Sequence, residues 1–372
     1  MKICVVTPRF AIAGVPLAQL RFTQALANHG HKVDLIIGYV DPQYTLPVIQ
    51  DVQLQVWDKP RVINMLFDLV RYLRTETPDV VFSAEDHLNT VVLLAAIISG
   101  SMAKISCSSR VTPFDTYSNT LFSKRWILKQ LARSVMWRSD ALTCVSKDMV
   151  DQYRRVFRNS PHVCVYNIVD DRQSRLRLNE PVDHAWLSNK NVPVLVAAGR
   201  LAEWKGFSDL INAFRILRQQ REVRLLILGD GPLRGELQVQ IDELRLTDDI
   251  QLTGYVQNPL KYFKRADVFV LSSHVEGLPN VLVEAMMCGC TPVSSDCPTG
   301  PRELLEGGRY GYLVPMRNPE AMAAGIQKAL DNPISVDILA EAIAPFEEHK
   351  VINRHFEVLG LMDDQARFGV TP

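Results

Sequence analysis

The chain has 372 residues and a formal net charge of zero, with 47% hydrophobic, 22% charged and 8% aromatic residues. This length favours two domains, and this composition excludes a disordered or fibrous protein. The longest apolar stretch covers residues 91–98, whereas a transmembrane helix needs about 20 residues. The short apolar run before Thr7 and Pro8 predicts a strand rather than a secretory signal, so we expect a cytoplasmic protein.

The cysteines and the charge distribution predict neither a metal site nor a nucleic-acid partner. Seven cysteines include no Cys-x-x-Cys pair, which is typical of reduced cytosolic thiols. Cys288 and Cys290 lie close together, but no histidine or further cysteine nearby completes a metal set. Residues 1–170 carry 19 Lys and Arg against 14 Asp and Glu, an imbalance too small to indicate nucleic-acid binding.

Short β-branched runs alternate with helical periodicity along the chain, a pattern that predicts parallel βαβ units and an α/β fold. In the first half, helices are predicted at 16–30, 61–75 and 123–138, and strands at 2–7, 32–38, 52–57, 79–84, 104–109, 141–146 and 163–169. Residues 171–191 lose periodicity and are predicted to form a linker.

A second α/β series follows the predicted linker. Its helices are predicted at 206–220, 232–244 and 279–287, and its strands at 193–199, 224–230, 250–256, 268–273 and 290–295. The shared pattern predicts two doubly wound Rossmann-like domains that face each other, with a ligand in the cleft beyond the carboxyl ends of the strands. Residues after about 333 are predicted to be helical, and residues 349–362 to form a helix that packs back on the first domain.

The most informative segment surrounds two glutamates eight residues apart. Glu276 and Gly277 follow a predicted strand, and Pro279 marks the start of a helix that carries Glu284. Free N–H groups and the dipole at such a helix start suit a diphosphate, and paired carboxylates suit the hydroxyls of a polyol. The alternative is that Glu284 is merely a solvated helix residue, but its apolar neighbours argue against a solvated face.

A second group of charges follows the first predicted strand of the second half. Gly199 ends this strand, and Arg200 and Lys205 lie in the loop before the next helix. Two cations at a helix start oppose the helix dipole, so an anionic ligand would account for them. In isolation, Arg200 and Lys205 are best interpreted as ordinary surface cations. Together with the Glu276 segment, they indicate a site for a nucleotide diphosphate sugar.

These segments resemble the retaining glycosyltransferase family 4, which has the GT-B fold. The resemblance rests on VAAGRLAEWKGFSDL, LLILGDGPLRGEL, IQLTGYV, ADVFVLSSHVEGLPNVLVEAMMCGCTPVSSD and GYLVP, and in the first half on RFTQALANHGHKVDLII, ALTCVSKDM and VYNIVD. It implies an acceptor-binding domain over residues 1–175, a donor-binding domain over 190–345 and a C-terminal helical segment over 346–372.

The resemblance also implies roles for single residues. Arg200 and Lys205 would bind the diphosphate and stabilise its charge, Glu276 would contact hydroxyls of the donor sugar, and Glu284 would hold the ribose. The backbone of Gly277, Leu278, Pro279, Asn280 and Val281 would line sugar and phosphate. The base would lie against Tyr255, Val256 and the turn with Gly229 and Gly231; read alone, that turn is as well explained as a tight turn after a strand.

The first half departs from the family pattern at two places. Relatives often carry a Gly-Gly pair after the first strand, whereas this chain has Gly14 alone near the donor phosphates. Where many relatives have a histidine, this chain has Arg110, and His87 is the alternative candidate for the role of that histidine. Each of the two is either an acceptor-side residue or a structural residue. The chain has no Asp-x-Asp motif, so we expect no metal or other cofactor, with arginine, lysine and the helix dipole in its place.

A basic segment lies between Ser123 and Arg138. Arg125, Lys129 and Arg133 recur every four residues, in the company of Trp126 and Trp137 and without an acidic residue. Such a composition is typical of a helix that meets anionic lipid at the inner face of the cytoplasmic membrane. The alternative is an amphipathic surface helix with solvated cations.

Three hypotheses for the function remain at this point. The first is a retaining transfer of a hexose or N-acetylhexosamine from a UDP-sugar, or mannose from GDP-mannose, to a lipid-linked or polysaccharide acceptor of a cell-surface glycan. The second is a nucleotide-sugar 2-epimerase, which would isomerise its substrate without an acceptor. The third is a silent binding module, which would not need all four residues Arg200, Lys205, Glu276 and Glu284.

Overall fold

Seven parallel strands form the sheet of the first half of the chain in the computed structural model, which describes residues 1–11, 14–158 and 160–362. The sheet has the order β3-β2-β1-β4-β5-β6-β7. The strands are β1 Lys2–Phe10, β2 Lys32–Val40, β3 Val52–Val56, β4 Val80–Ala84, β5 Lys104–Ser109, β6 Ala141–Cys144 and β7 His162–Cys164. These bounds confirm the seven predicted strands, although β7 ends earlier than predicted.

Helices cover this first sheet. They are α1 Gly14–Asn28, α2 Leu66–Thr75, α3 Asp86–Ser99, α4 Pro113–Thr116, α5 Lys124–Val135 and α6 Lys147–Val156. Strand β4 is buried along its whole length, as expected for a parallel strand with helices on both faces. The helices predicted at 16–30, 61–75 and 123–138 are confirmed as α1, α2 and α5, with a 3₁₀ turn, Val62–Met65, before α2 and another, Met136–Arg138, after α5.

The second half has a sheet of six parallel strands in the order β10-β9-β8-β11-β12-β13. They are β8 Val194–Ala198, β9 Arg224–Leu228, β10 Ile250–Gly254, β11 Val268–Leu271, β12 Thr291–Ser295 and β13 Tyr312–Val314. Five of the six were predicted. Strand β13 was not, because a run of three residues is too short to show the alternation that marks a strand.

The helices of the second half are α7 Arg172–Arg177, α8 Ala185–Ser188, α9 Phe207–Arg218, α10 Arg234–Glu243, α11 Leu260–Phe263, α12 Asn280–Met287, α13 Pro301–Leu304, α14 Pro319–Asp331 and α15 Val336–Ile343. Further 3₁₀ turns lie at Glu203–Lys205, Glu306–Gly308 and Ala344–Phe346. The helices predicted at 206–220, 232–244 and 279–287 are confirmed as α9, α10 and α12.

The predicted linker, residues 171–191, is part of the second unit. It carries α7 and α8, and Asn258 Nδ2 donates a hydrogen bond of 2.8 Å to the carbonyl of Arg177 at the end of α7. The guanidinium of Arg224 lies 4.9 Å from the ring centre of Trp186. The linker prediction was wrong because helices of six and four residues are too short to show helical periodicity in a sequence.

The chain divides into two compact units. The first unit contains Met1–Ile168 and the chain from Glu348 onward, and the second unit is Val169–Glu347. The segment from Glu348 belongs to the first unit because helix α16, Glu348–Val358, buries Val351, Ile352 and Phe356 in the core below β1 and β2. Residues 363–372 of the predicted C-terminal segment lie outside the described residues.

Each sheet reverses its strand order at one place. In the first sheet this place lies between β1 and β4, and in the second sheet between β8 and β11. Ligands of open parallel sheets bind beyond the carboxyl ends of the strands at this reversal. None of the helices in the described ranges is both long and apolar enough to cross a membrane.

Candidate functional site

Two loops meet at the strand reversal of the second sheet. One follows β8 and carries Arg200 and Lys205; the other follows β11 and carries Glu276. Ser272 Oγ donates a hydrogen bond of 2.8 Å to the carbonyl of Lys205, and the His274 amide donates one of 2.8 Å to the carbonyl of Trp204. The two loops are therefore joined by one side-chain and one backbone donor, each to a backbone carbonyl.

Lys205 and Glu276 form the centre of this site. Lys205 Nζ donates to Glu276 Oε1 over 2.6 Å, and Ser273 Oγ donates to the same oxygen over 2.6 Å. The two paired side chains are only 18% and 11% exposed. Because the lysine has three donors, it can keep this bond and still donate to a phosphate. The sequence predicted both residues but neither their direct contact nor Ser273.

Gly206 allows this close approach of the loops. Its φ is +62°, and a Cβ placed there would lie 2.1 Å from the carbonyl oxygen of Ser272. Three residues later, Asp209 in the first turn of α9 pairs with His274, with Oδ2 and Nε2 2.7 Å apart. The sequence analysis missed this second contact between the two segments, since its two residues are 65 positions apart.

Arg200 differs from Lys205 in its surroundings. Its side chain is exposed and forms no hydrogen bond or ion pair with any residue in the described ranges. An unpaired arginine in the same loop as a paired lysine leaves a donor fork available for a bidentate oxyanion such as a phosphate.

The loop after β12 supports the start of α12. The Glu276 amide donates to the carbonyl of Pro298 over 2.9 Å, the Thr299 amide donates back to the carbonyl of Glu276 over 2.9 Å, and Thr299 Oγ1 donates to the carbonyl of Gly277 over 2.7 Å. The helix then begins at Asn280, one residue after the predicted start, and the amides of Asn280 and Leu282 donate to the carbonyls of Leu278 and Pro279 over 2.9 Å each.

The remaining residues predicted on the donor side lie around this helix start. Leu278 and Val281 are half-buried, Pro279 is the residue before the helix, and Glu284 is half-buried one turn into it. The neighbours of Glu284, Val283 and Ala285, are fully buried, which agrees with a carboxylate that does not lie on a solvated face.

The turn after β9 packs directly against the end of β8. Gly229 has a φ of +144°, and a Cβ there would lie 1.9 Å from the carbonyl oxygen of Gly199. A Cβ on Gly231 would lie 2.4 Å from the carbonyl oxygen of Leu201. The need for glycine at both positions thus has a structural cause. Tyr255, in the loop after β10, is 58% exposed, and the next residue, Val256, is half-buried.

The predicted acceptor-side residues belong to the first unit. Gly14 begins α1, directly after Ile12 and Ala13, which lie outside the described residues. His87 is exposed in the first turn of α3. Arg110 follows β5 and donates through Nη1 to Asn167 Oδ1, and burial lowers its pKa to about 10. Arg110 is thus tied into the unit, whereas His87 faces solvent.

Some of the cations in the basic segment on α5 are engaged in hydrogen bonds within the first unit. Arg125 donates through Nη2 to the carbonyls of Phe114 and Tyr117, and Lys129 Nζ donates to Asn119 Oδ1 over 2.8 Å. Of the three regularly spaced cations Arg125, Lys129 and Arg133, the first two therefore hold the loop that precedes α5. Arg133 is exposed and has no such partner within the described ranges.

Comparisons with known proteins identify the family of both halves of the chain. Residues 13–173 match the profile of Glycosyltransferase Family 4, and residues 180–344 match that of Glycosyl transferases group 1. An uncharacterized glycosyltransferase of Methanocaldococcus jannaschii is 30% identical over 257 residues, which cover 66% of this chain and 62% of that protein.

The names of two further relatives state an activity. The N-acetylgalactosamine-N,N'-diacetylbacillosaminyl-diphospho-undecaprenol 4-alpha-N-acetylgalactosaminyltransferase of Campylobacter jejuni is 29% identical over 66% of this chain and 65% of its own length. The amylovoran biosynthesis glycosyltransferase AmsD of Erwinia amylovora is 25% identical over 82% of this chain and 83% of its own length. The chain thus spans less than two thirds of the first two relatives.

The fold is shared with solved structures. The crystal structure of Anabaena HepE in complex with UDP matches 97% of this chain and 100% of its own, with a TM-score of 0.80 and 19% identity. At this identity the match shows the fold, which is GT-B with two parallel-sheet Rossmann-like domains. This chain belongs to the glycosyltransferases, with a family 4 first domain and a group 1 second domain.

Proposed function

We propose that the chain transfers a hexose or N-acetylhexosamine from a UDP-sugar, with retention at the anomeric carbon, to a lipid-linked or polysaccharide acceptor of a cell-surface glycan. The observation that carries this proposal is the half-buried Lys205–Glu276 pair beside the unpaired Arg200, at the strand reversal of the second sheet. The activities stated in the names of the Campylobacter and Erwinia relatives support this choice of acceptor.

In the proposed reaction the bond between the sugar carbon and the diphosphate oxygen breaks, and negative charge develops on the diphosphate. In this proposal Lys205 and Arg200 donate to that oxyanion, and the dipole of α12 adds positive potential at the start of the helix. The acceptor hydroxyl attacks from the same face and its proton passes to the leaving phosphate oxygen. This arrangement requires neither an enzymic nucleophile nor a metal.

The two glutamates have different tasks in this proposal. Glu276 Oε1 is occupied by Lys205 and Ser273, so its other oxygen accepts from hydroxyls of the transferred sugar. Glu284 lies one turn into α12, where its carboxylate accepts from the two ribose hydroxyls of the nucleotide. A ribose contact contributes to binding rather than to the bond-breaking step.

A thermal-shift panel tests the nucleotide and the role of Glu284. UDP and UDP-sugars should raise the unfolding temperature, because a ligand at 100 times its Kd stabilises the folded state by about 2.7 kcal/mol. Glu284→Ala should reduce this shift strongly, whereas Glu243→Ala, which removes an exposed carboxylate from the end of α10, should leave it unchanged.

The outcomes of this panel separate the alternatives. A shift with GDP and GDP-mannose but not with UDP would favour a mannosyltransferase. Conversion of UDP-GlcNAc to its 2-epimer without an acceptor would favour an epimerase. If no nucleotide shifts the unfolding temperature, the proposed function is wrong, and an unchanged UDP shift in the Glu284 variant removes this residue from the ribose site.

A further part of the proposal is that the first unit attaches to an anionic membrane surface. The support comes from large apolar side chains that are exposed together with the cation Arg133 on and around α5: Phe122 at 81%, Trp137 at 72%, Leu131 at 51% and Ile127 at 46%. Apolar and cationic groups on one short segment suit an interface with anionic lipid.

Flotation with vesicles of phosphatidylglycerol and phosphatidylcholine tests this attachment. Replacing Ile127, Leu131 and Trp137 by serine, or Arg125, Lys129 and Arg133 by glutamate, should reduce the bound fraction at least fivefold. A charge-matched control replaces Arg172, Arg215 and Lys328, all exposed in the second unit, by glutamate. Because Arg125 and Lys129 also hold a loop, the glutamate variant could lose binding through a change in this loop. The serine variant is therefore the decisive one, and an equal vesicle-bound fraction for this variant and the wild type would contradict membrane attachment.

A further inference from the structure

Charged residues follow three neighbouring strands at the reversal of the first sheet. Arg9 lies near the carboxyl end of β1, Glu85 directly follows β4, and Arg110 directly follows β5. Strands β1, β4 and β5 are adjacent in the sheet, and the order reverses between β1 and β4. These three residues therefore lie at the edge of the first sheet where a ligand of such a fold binds.

Glu85 has a backbone conformation that favours glycine. Its φ is +81° and its ψ is 130°, a region that residues with a Cβ rarely adopt. Its amide donates to the carbonyl of Ser108 over 3.0 Å, and its carbonyl accepts from the Asn89 amide over 2.9 Å. Glycine would make the same two backbone bonds without strain, so the turn itself does not call for a glutamate.

The neighbouring carboxylate, Asp86, has a structural role. It is buried and accepts from Ser109 Oγ over 2.7 Å and from Tyr153 OH over 2.5 Å. Glu85, by contrast, is half-buried, and its carboxylate makes no hydrogen bond or ion pair within the described ranges. Of these two consecutive acids, only Glu85 has oxygens available to a ligand.

Two guanidinium groups complete the set. The guanidinium of Arg9 is exposed and has no hydrogen-bond partner within the described part of the chain, and Nε of Arg110 is buried without one. Burial raises the pKa of the Glu85 carboxyl, while the charges of Arg9 and Arg110 act against this rise. The edge thus offers acceptor and donor groups side by side, with charges that partly cancel.

We infer that Glu85, with Arg9 and Arg110, forms a subsite that binds hydroxyl groups of the acceptor sugar. The inference rests on the proposed function and adds Glu85 and Arg9 to its acceptor side. A carboxylate accepts from two vicinal hydroxyls, and the guanidinium groups donate to hydroxyl oxygens on either side. A phosphate would use the two guanidinium groups but not the carboxylate, whereas a polyol can bind all three groups.

Saturation-transfer NMR on the whole chain tests the subsite with methyl α-glycosides of glucose, galactose, mannose and N-acetylglucosamine, in the presence of UDP. At least one glycoside should receive saturation from the wild type, and Glu85→Gln and Glu85→Gly should reduce that signal at least fivefold. The glycine variant relieves the backbone strain, so its unfolding temperature should not fall. Asp151→Asn, an exposed carboxylate on α6, is the control and should leave the signal unchanged.

The UDP titration of the same samples separates this inference from the proposed function. If UDP binds the wild type but no glycoside receives saturation, or if both Glu85 variants keep the wild-type signal, the subsite is refuted and the donor site stands. If inorganic pyrophosphate, added with UDP present, removes the glycoside signal in the wild type and not in Arg9→Gln, the edge binds anions and the inference is wrong. If UDP does not bind, the proposed function itself fails.

Discussion

Lys205→Ala should lower kcat/KM for the nucleotide sugar by about 30- to 900-fold, which corresponds to a loss of about 2 to 4 kcal/mol of transition-state stabilisation. The physical reason is that Lys205 is a single charge donor held in place before the reaction by Glu276 at 2.6 Å and by its own backbone contact with Ser272. Most of the loss should appear in kcat, because the charge on the diphosphate grows as the sugar departs.

Steady-state turnover of the donor that the thermal-shift panel identifies is the measurement. Lys328→Ala, an exposed lysine on α14, is the matched control and should leave kcat unchanged. The double variant Lys205→Ala/Glu276→Ala should lose less than the two single losses added together, since the two side chains share one contact. Normal turnover of a folded Lys205→Ala protein would remove this residue from the reaction.

Gly206→Ala should destabilise the chain by about 2 to 4 kcal/mol and abolish most of the activity. Alanine at a φ of +62° costs about 1 to 2 kcal/mol, and its Cβ would overlap the carbonyl oxygen of Ser272 at 2.1 Å, which adds a cost of similar size. Relief of this overlap separates the two loops and moves Lys205 away from Glu276, so turnover falls even where the protein stays folded.

Urea unfolding and donor turnover together measure this effect. Gly235→Ala is the control, because Gly235 lies in the first turn of α10 and a Cβ there meets no atom within 4 Å. This control should be neutral or more stable by up to about 1 kcal/mol, the difference in helix propensity. A Gly206→Ala protein as stable and as active as the control would show that the loops do not depend on this approach.

Much of the fold could be predicted because its signals are local. Strands such as β4 and β8 are continuous runs of buried apolar residues, and helices such as α9 show helical periodicity over three turns. Short elements could not be predicted in this way. Strand β13 has three residues, and helices α7 and α8 have six and four residues. These lengths are too short to show the alternation of a strand or the 3.6-residue periodicity of a helix.

The sequence by itself also determined which residues we propose for the donor side: Arg200, Lys205, Glu276 and Glu284 were predicted from residue type, spacing, the helix start beside them and the family resemblance. Only the tertiary structure decided how they are held. The Lys205–Glu276 bond joins residues 71 positions apart, and the contact of His274 with Asp209 joins residues 65 positions apart.

The same distinction applies to Glu85 and Asp86. In the sequence they are two consecutive acids after a strand, with nothing to separate their roles. The structure turns Asp86 inward to Tyr153 and Ser109 and leaves Glu85 unpartnered in a conformation that favours glycine. Residue type and local period are properties of the chain, whereas burial and pairing depend on which distant segments the fold brings together, and that is why they appear only in the folded molecule.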